Sequence, residues 1–540
     1  MLSKIERNRN SADQIPEQYA AWQLFGAGME NVGKDGKPVT LPLREPSENE
    51  ILLRVDALGL CQSDLKIIQQ GSKHARLRGR DLSTEPTVLG HECAATVVKV
   101  GKRWKDKFHA GERYIVQADI YYKGLGYAFG YLIPGGLAQY CYLDERALDG
   151  DEGCYLLPVR PETGYSQSAL AEPWACVEMS YNLDDRRAPG TGRMLIVTDQ
   201  PSAWAKSYPD ALVATRLATQ FPEAEFDDVI AESPTPGIVN LLAPRLRKNG
   251  VMYLLGTPAE AGAAALDIGR IHYEGVRFFG GATDLQTLAE RHARHDLLPG
   301  GDALFIGAGG PMGQMHVQRA LEVKNRPRRV VVTDLDRGRL DHIQKRFHDL
   351  AEQNGVELLT FAPSQFANQQ AMDAHVRSLT PGGYSDVIIL APAAAVVSYG
   401  AGMAADFALI NIFAGVGIGN VAAVSLHDLC RGVKLIGSSG SRISDLRKVL
   451  EMVESRQLNT NFSVAAVGGL NAAKQGIEAL RDARFPGKTV IYPQIPELPL
   501  MAVEDVPEHV PELRGKLGPQ NSWTQEAEAT LLEKFAAPKQ

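Results

Sequence analysis

Three short segments in the first third of the chain carry side chains of the kinds that hold zinc: CQSDLK at 61–66, VLGHE at 88–92 and AEPWAC at 171–176. Cys61, His91, Glu92 and Glu172 together offer one thiolate, one imidazole and two carboxylates. Three such groups, with one position left for water or substrate, suit tetrahedral zinc that takes part in catalysis. Asp64 is placed to orient the His91 ring, and Ser63 to pass a proton from a bound hydroxyl. Each residue has a plainer reading when taken singly. Cys61 alone is a small buried apolar group, His91 a satisfied core histidine, and Glu172, before Pro173, a carboxylate at a helix start. The three motifs together, upstream of a dinucleotide fingerprint, outweigh those readings. Cys93, Cys141, Cys154, Cys176 and Cys430 form no CxxC pair and are expected to be structural.

That fingerprint begins at DALFIG (302–307), an apolar strand running directly into AGGPMGQMH (308–316). Gly307, Gly309, Gly310, Pro311, Met312 and Gly313 form a turn that lets the backbone approach a pyrophosphate, whose oxygens take the free N–H groups of the following helix. RVVVTD (329–334) is expected to be the next strand, ending in Asp334, where a carboxylate accepts the ribose hydroxyls. A carboxylate there repels a 2′-phosphate and favours NAD. Arg337 and Arg339 keep NADP open, and Arg339 is read as part of the cofactor site. The spacing departs from G-x-G-x-x-G: from Gly307 the pattern is one residue too long, and from Ala308 the first glycine is missing.

Two kinds of domain must position these groups. From Gln18 to about Leu157, short apolar runs such as ILLRV (51–55) and RYIVQA (113–118) alternate with turn signals such as HAGER (109–113), which predicts a β-rich domain. After Pro158, apolar strands alternate with Ala- and Leu-rich helical stretches, which predicts βαβ units on a parallel sheet. An internal repeat lies in this region. DDVI (227–230), VMYLLG (251–256) and GVRFFGG (275–281) match SDVI (385–388), ALINIFAG (408–415) and GVKLIGS (432–438), in the same order. Only the later copy has the glycine-rich turn; the earlier opens with MLIVTD (194–199) and lacks it. The uncharged stretches 387–405 and 407–426 are long enough for bilayer spans. Pro392, Gly400, Asn411 and further glycines break them, so they read as short buried strands, a loop and a small-residue helix. Residues 1–15 read as a loose polar arm without a secretory signal, and Ser522 with Gln525 as a capping box before a helix over 523–535.

The 540 residues are 44% apolar and 22% charged, enough for about three or four domain-sized units and too apolar for wholesale disorder. With 57 Lys and Arg against 64 Asp and Glu, the net charge of −7 argues against a nucleic-acid partner. Six cysteines are too few for a disulfide scaffold. The expectation is a soluble, reduced cytoplasmic protein with no membrane partner.

The series C-x-S-D, G-H-E, E-P and a Rossmann fingerprint resembles the medium-chain dehydrogenase/reductase family. The Glu after the His and the E-P motif resemble its sorbitol dehydrogenase branch. QGSKHARLRGRDLSTEPTVLGHE (70–92) and the GGPMG turn resemble the L-sorbose-1-phosphate reductase subgroup. The resemblance covers 18–180 and 301–492. It implies an α/β fold: a GroES-like catalytic domain over 1–180 completed by 465–540, a doubly wound NAD-binding Rossmann domain over 301–460, and a cleft between them. The degenerate partial Rossmann-like repeat over 190–300 is extra. The resemblance further implies Cys61, His91 and Glu92 as zinc ligands, with Glu172 as a fourth ligand or a partner of the zinc water, and a homo-oligomer. A second, structural zinc is not expected, because 93–140 offers only Cys93 as a start for it.

The implied activity is hydride transfer between NAD and a secondary alcohol or ketone of a polyol, sugar or sugar derivative. Zinc suits it, because it can bring a bound water from a pKa of about 15.7 to about 7. Cys61, Ser63, His91, Glu92 and Glu172 form the expected catalytic set. Lys73 to Arg80 is a basic loop that reads either as a solvated face or as a phosphate or acidic-sugar contact. YYKGLGYAFGY (121–131) reads either as a sugar pocket or as a turn with buried rings. The alternatives are a zinc-free quinone or enoyl reductase and a non-catalytic NAD-binding scaffold.

Overall fold

The computed structural model describes residues 15–201, 207–216, 221 and 223–535, so the N-terminal arm lies outside the described residues but for Ile15. The chain folds into two units, Met1–Glu178 with Gly440–Gln540, and Met179–Ser439.

The first unit is built on an 8-stranded sheet. Its middle strand, Ile51–Gly59, is buried along its whole length, which explains the apolar run. The two charges within that run satisfy each other, Arg54 Nε bonding Asp56 at 2.8 Å. Strand Glu92–Val100 pairs antiparallel with Ile51–Gly59, and the register ends with Gly59 opposite Glu92. The chain leaves Gly59 for the helix Gln62–Gln70, so this one ladder brings the Cys61 and His91 segments together. Strand Lys488–Tyr492 closes the other side of Ile51–Gly59, pairing Val490 with Gly59. More than 390 residues of sequence are thereby folded back onto the same strand end.

The chain returns to this unit at Gly440, earlier than the 465 expected. The helix Ile443–Glu454 is the reason. RISDLRKVLE (442–451) matches ATDLQTLAE (282–290) after the first copy, yet this helix packs Ile443 on the β-rich core, and Glu454 accepts from Arg160 N at 2.8 Å. The last helix, Gln525–Phe535, is capped by Thr524 Oγ1, which accepts from Ala527 N at 3.0 Å, and not by the Ser522 expected. It is anchored within the unit rather than laid on its surface. The Glu528 carboxylate is buried and accepts from Tyr165 N, Ser166 N and the Tyr492 hydroxyl.

In the second unit, 190–300 and 301–439 are not separate domains. Each copy forms its own parallel sheet. The first runs Leu212–Ala214, Met194–Val197, Phe226–Glu232, Leu246–Leu255, Arg277–Ala282. The second runs Glu357–Phe361, Arg329–Thr333, Asp302–Ile306, Tyr384–Ile389, Ala404–Ile412, Lys434–Gly437, a doubly wound order with one strand more. One buried apolar cluster, from Leu195 to Leu435, spans both. The stretches long enough for bilayer spans are strand Tyr384–Ile389, helix Ala394–Met403, strand Ala404–Ile412 and a loop before Val421–Ser425. Among the described residues no helix is long and apolar enough to cross a membrane.

Candidate functional site

Cys61 precedes the first turn of its helix, and Asp64 accepts from Cys61 N at 3.1 Å. The other oxygen of Asp64 accepts from Gly90 N at 3.2 Å, so one carboxylate ties the two ligand-bearing segments. Gly90 sits at φ +89°, and a Cβ there would come within 2.7 Å of Leu58 Cδ2. Glycine is therefore required just before His91. The same Asp64 lies 3.7 Å from His91 Nδ1, and Ser63 Oγ lies 3.3 Å from His91 Nε2. Glu92 opens its strand beneath Gly59, where a Cβ would stand 2.0 Å from Glu92 Oε2; a side chain at 59 would displace the carboxylate.

The ligand atoms of Cys61, His91 and Glu92 all lie within 4.8 Å of one another. His91 Nδ1 and Glu92 Oε2 are buried with no hydrogen-bond partner among the described residues. Buried polar atoms without partners are costly, and a divalent cation would satisfy both. A thiolate, an imidazole and a carboxylate are also a donor set suited to zinc. The residues therefore fit the metal. Glu172 stands in the first turn of helix Ala171–Ser180, outside the 4.8 Å group but near enough to interact with His91 and Glu92.

The electrostatics agree. Burial alone would push the His91 imidazole down, but Asp64, Cys61 and Glu172 outweigh it and hold His91 well above its ordinary value. Glu172 is pushed up to about 7, by burial first and then by Glu92, against the pull of His91 and Lys488. Cys176, one helical turn beyond Glu172, is raised by burial and by Glu172, as befits a protonated structural thiol. All six cysteines are free.

Lys488 is the residue that the sequence did not single out. Its ammonium pairs with Glu92 and donates to Leu60 O at 3.2 Å, with both charged side chains buried. Its only signal is a lysine opening an apolar strand, KTVIY, where a solvated strand end is the ordinary reading. Asp119 was missed as well, whereas Tyr131 closes the tyrosine-rich segment 121–131. The Tyr131 ring stands 6.0 Å from His91 and 5.9 Å from His74, centroid to centroid, and Arg76 lies over it at 5.3 Å. Arg76 also bonds Asp119 at 2.7 Å. A cavity of about 270 Å³ opens there, lined by Arg76, Arg78, Asp119, Tyr121 and Tyr127. Thus the basic loop and the tyrosine-rich segment, read separately in the sequence, face the same space.

In the second unit, strand Asp302–Ile306 runs into Gly307 at φ +75°, and helix Pro311–Glu322 starts after Gly310 with Pro311 in its first turn. A Cβ at Gly313 would stand 2.5 Å from Ala308 Cα, so the helix can pack this close to the turn only with glycine. The next strand ends at Thr333, and the Asp334 carboxylate accepts from Gly309 N at 2.8 Å and from Asp336 N at 3.0 Å. Asp334 thus fixes the turn as well as terminating the strand. Arg339, in the first turn of helix Arg337–Gln353, lies 3.7 Å from Asp336. Met312 follows Pro311 in the first turn of helix Pro311–Glu322.

The alcohol dehydrogenase GroES-like domain family matches residues 47–149. Mannitol-1-phosphate 5-dehydrogenase of Aliivibrio fischeri is 26% identical, covering 93% of this chain and 95% of that protein. L-sorbose 1-phosphate reductase of Klebsiella pneumoniae is 23% identical, covering 92% and 95%. Among solved structures, 2R,3R-butanediol dehydrogenase from Bacillus subtilis shares the fold with a TM-score of 0.52 at 15% identity, covering 88% of this chain and 99% of that one. Residues 47–149 thus form an alcohol dehydrogenase GroES-like domain, and the chain is an oxidoreductase similar over nearly its whole length to polyol-phosphate dehydrogenases and in fold to zinc-containing, NAD(P)-dependent alcohol dehydrogenases.

Proposed function

We propose that this protein interconverts a secondary alcohol and a ketone on a phosphorylated polyol or sugar, with NAD as the hydride carrier. The supporting observation is that the Cys61, His91 and Glu92 ligand atoms lie within 4.8 Å of one another and one tyrosine ring away from an arginine-lined cavity. Cys61, His91 and Glu92 would hold zinc, with Glu172 as a fourth ligand or as the acceptor for a water beside it. Zinc held there supplies Lewis acidity, which makes a hydroxyl oxygen a far stronger acid at neutral pH.

The chain's own groups do the rest. Asp64 orients the His91 ring. Ser63 Oγ, 3.3 Å from His91 Nε2, takes the hydroxyl proton and passes it outward. The carbinol carbon gives up a hydride to the nicotinamide as its oxygen gives up that proton; in the other direction a ketone gains both. Arg76 and Arg78 bind the phosphate, with Asp119 and the Tyr127 ring holding the two guanidinium groups in place. The names of the mannitol-1-phosphate and L-sorbose 1-phosphate enzymes, both similar over nearly their whole length, support this substrate class.

The test compares sugars and polyols with and without a phosphate. Arg76→Ala is expected to lower kcat/KM for the phosphorylated substrates about 30-fold or more, the loss of roughly 2 kcal/mol in charge-assisted hydrogen bonds. Unphosphorylated analogues should change less than about threefold. Equal losses on both would overturn the phosphate reading.

For the cofactor, Gly307, Gly309, Gly310, Pro311, Met312 and Gly313 seat the pyrophosphate, Asp334 takes the ribose hydroxyls, and Arg339 borders them. Asp334→Ala removes two ribose hydrogen bonds and also frees Gly309 N. NADH Kd, followed by fluorescence, should rise at least about tenfold. An unchanged Kd would mean that Asp334 serves the turn alone.

A further inference from the structure

The two copies in the second unit correspond down to single hydrogen bonds. Arg186 pairs with buried Asp228 and donates to Ala188 O; Arg294 pairs with buried Asp386 and donates to Asp296 O. The second oxygen of each acid accepts a backbone N–H, from Gly190 at 2.9 Å and from Leu298 at 2.9 Å. The other arm of each arginine reaches Asp227 O and Asn249 O in the first copy, and Ser385 O and Phe407 O in the second. Asn249 and Phe407 occupy the same left-handed backbone region, at φ 61° and 56°. A chance likeness between two αβ segments would not reproduce this network.

The copies also meet through equivalent surfaces. Strand Ala263–Asp267 pairs antiparallel with Val421–Ser425: Ala263 faces Ser425, Ala265 faces Ala423, and Asp267 faces Val421. These two strands occupy the same place in their respective copies, so each end of one meets the opposite end of the other. That is the signature of an isologous, two-fold contact. Close backbone approach follows the same line. A Cβ at Gly281 would stand 2.8 Å from Gly432 Cα, and one at Gly269 would stand 2.5 Å from Ile418. His272 Nδ1 lies 3.0 Å from Ile412 O, and Arg277 Nη2 donates to Gly437 O at 3.1 Å. Asp267 accepts from Gly419 N at 2.9 Å, so the first copy also holds the loop that follows strand Ala404–Ile412.

We propose that the first copy is a built-in partner. Residues 179–300 occupy, within one polypeptide, the place that a second subunit takes in an isologous dimer. The edge formed by Val421–Ser425 and Lys434–Gly437 is consequently closed in cis and not offered to another chain. The asymmetry between the copies fits this division. After Met194–Val197 the first copy reads TDQPSAWAKSYPD (198–210), with no glycine turn, while every element at the contact is kept. The first copy has retained the interface and lost the nucleotide turn.

Ala265 and Ala423 face each other and are exposed, so cysteines placed there can be oxidised to a disulfide without disturbing the core. In the full-length double variant A265C/A423C, oxidation should yield a species of single-chain mass whose digest contains the 265–423 linked peptide. NADH titration of the wild type should saturate at one per chain. A covalent dimer of the double variant would show that the two strands pair between chains, and a missing linked peptide would show that they do not pair. A covalent dimer of A265C alone would show two first copies meeting across chains. Any of these three, or two NADH per chain, overturns the proposal.

Discussion

Cys61→Ala is expected to abolish zinc binding and to lower kcat/KM by at least about 10³-fold, which corresponds to roughly 4 kcal/mol of transition-state stabilisation. The wild type should carry about one zinc per chain and the variant under a tenth of that. The thiolate is the only sulfur donor among the three clustered ligand groups. An imidazole and one carboxylate make a poor zinc site by themselves. The fold should survive, because the helix that begins after Cys61 keeps its cap: Asp64 bonds the backbone N of residue 61, not its thiol. A chelator series separates metal loss from unfolding. Removing zinc from the wild type should lower its unfolding midpoint, since a ligand present at about 1,000 times its Kd contributes roughly 4 kcal/mol. The same chelator should leave Cys61→Ala unmoved. If the variant kept its zinc and its activity, the cluster would not be the metal site.

That cluster was legible in the sequence because each ligand sits beside residues that constrain its own stretch of chain. Gly90 needs a left-handed backbone before His91, and Asp64 reaches both Cys61 N and Gly90 N. Glu172 shows itself through the E-P motif, although its place in a helix's first turn also suits an ordinary helix-start carboxylate. Lys488 carries no such local mark. Its role exists only once strand Lys488–Tyr492 closes on Ile51–Gly59, a pairing that no short-range pattern encodes. The same distinction holds for the fold. The repeat could be seen from matched segments, and the coenzyme sheet from its strand, turn and acid. How the copies join could not be seen: the joining strands, AAALD and VAAVS, are short, alanine-rich and poor in strand-forming residues. The return at Gly440 was missed for a related reason. ISDLRKVLEMVE has the amphipathic period of any surface helix, and nothing in its apolar face says which unit it covers. At 522–525 the error was local: Ser522 and Thr524 are both good caps, and the helix begins after the second.

Lys488→Met carries the second large effect, on stability, and its dependence on zinc separates two roles for Glu92. In the metal-free protein the substitution leaves a buried carboxylate with neither its ammonium partner nor a bond to Oε2, and Leu60 O loses its donor. Breaking one side of a buried ion pair typically costs about 3–5 kcal/mol. At roughly 2–4 °C per kcal/mol, the midpoint of the catalytic unit should fall by about 6–20 °C. Burial alone would lower the Lys488 pKa, but Glu92, Cys61 and Glu172 outweigh it and keep the ammonium charged. Deprotonation of the lysine therefore offers the wild type no release from the pair near neutral pH. With zinc bound, a second cation faces the same carboxylate, and the loss should shrink to less than about half, because Glu92 is no longer an uncompensated charge. Glu92→Gln is the complementary variant. It removes the anion and spares the lysine, and should lower zinc affinity by about tenfold or more even if stability holds. The zinc dependence decides the matter: an equal loss in Lys488→Met with and without metal would mean that Glu92 serves the ion pair alone and that the third ligand lies elsewhere, with Glu172 the next carboxylate to test.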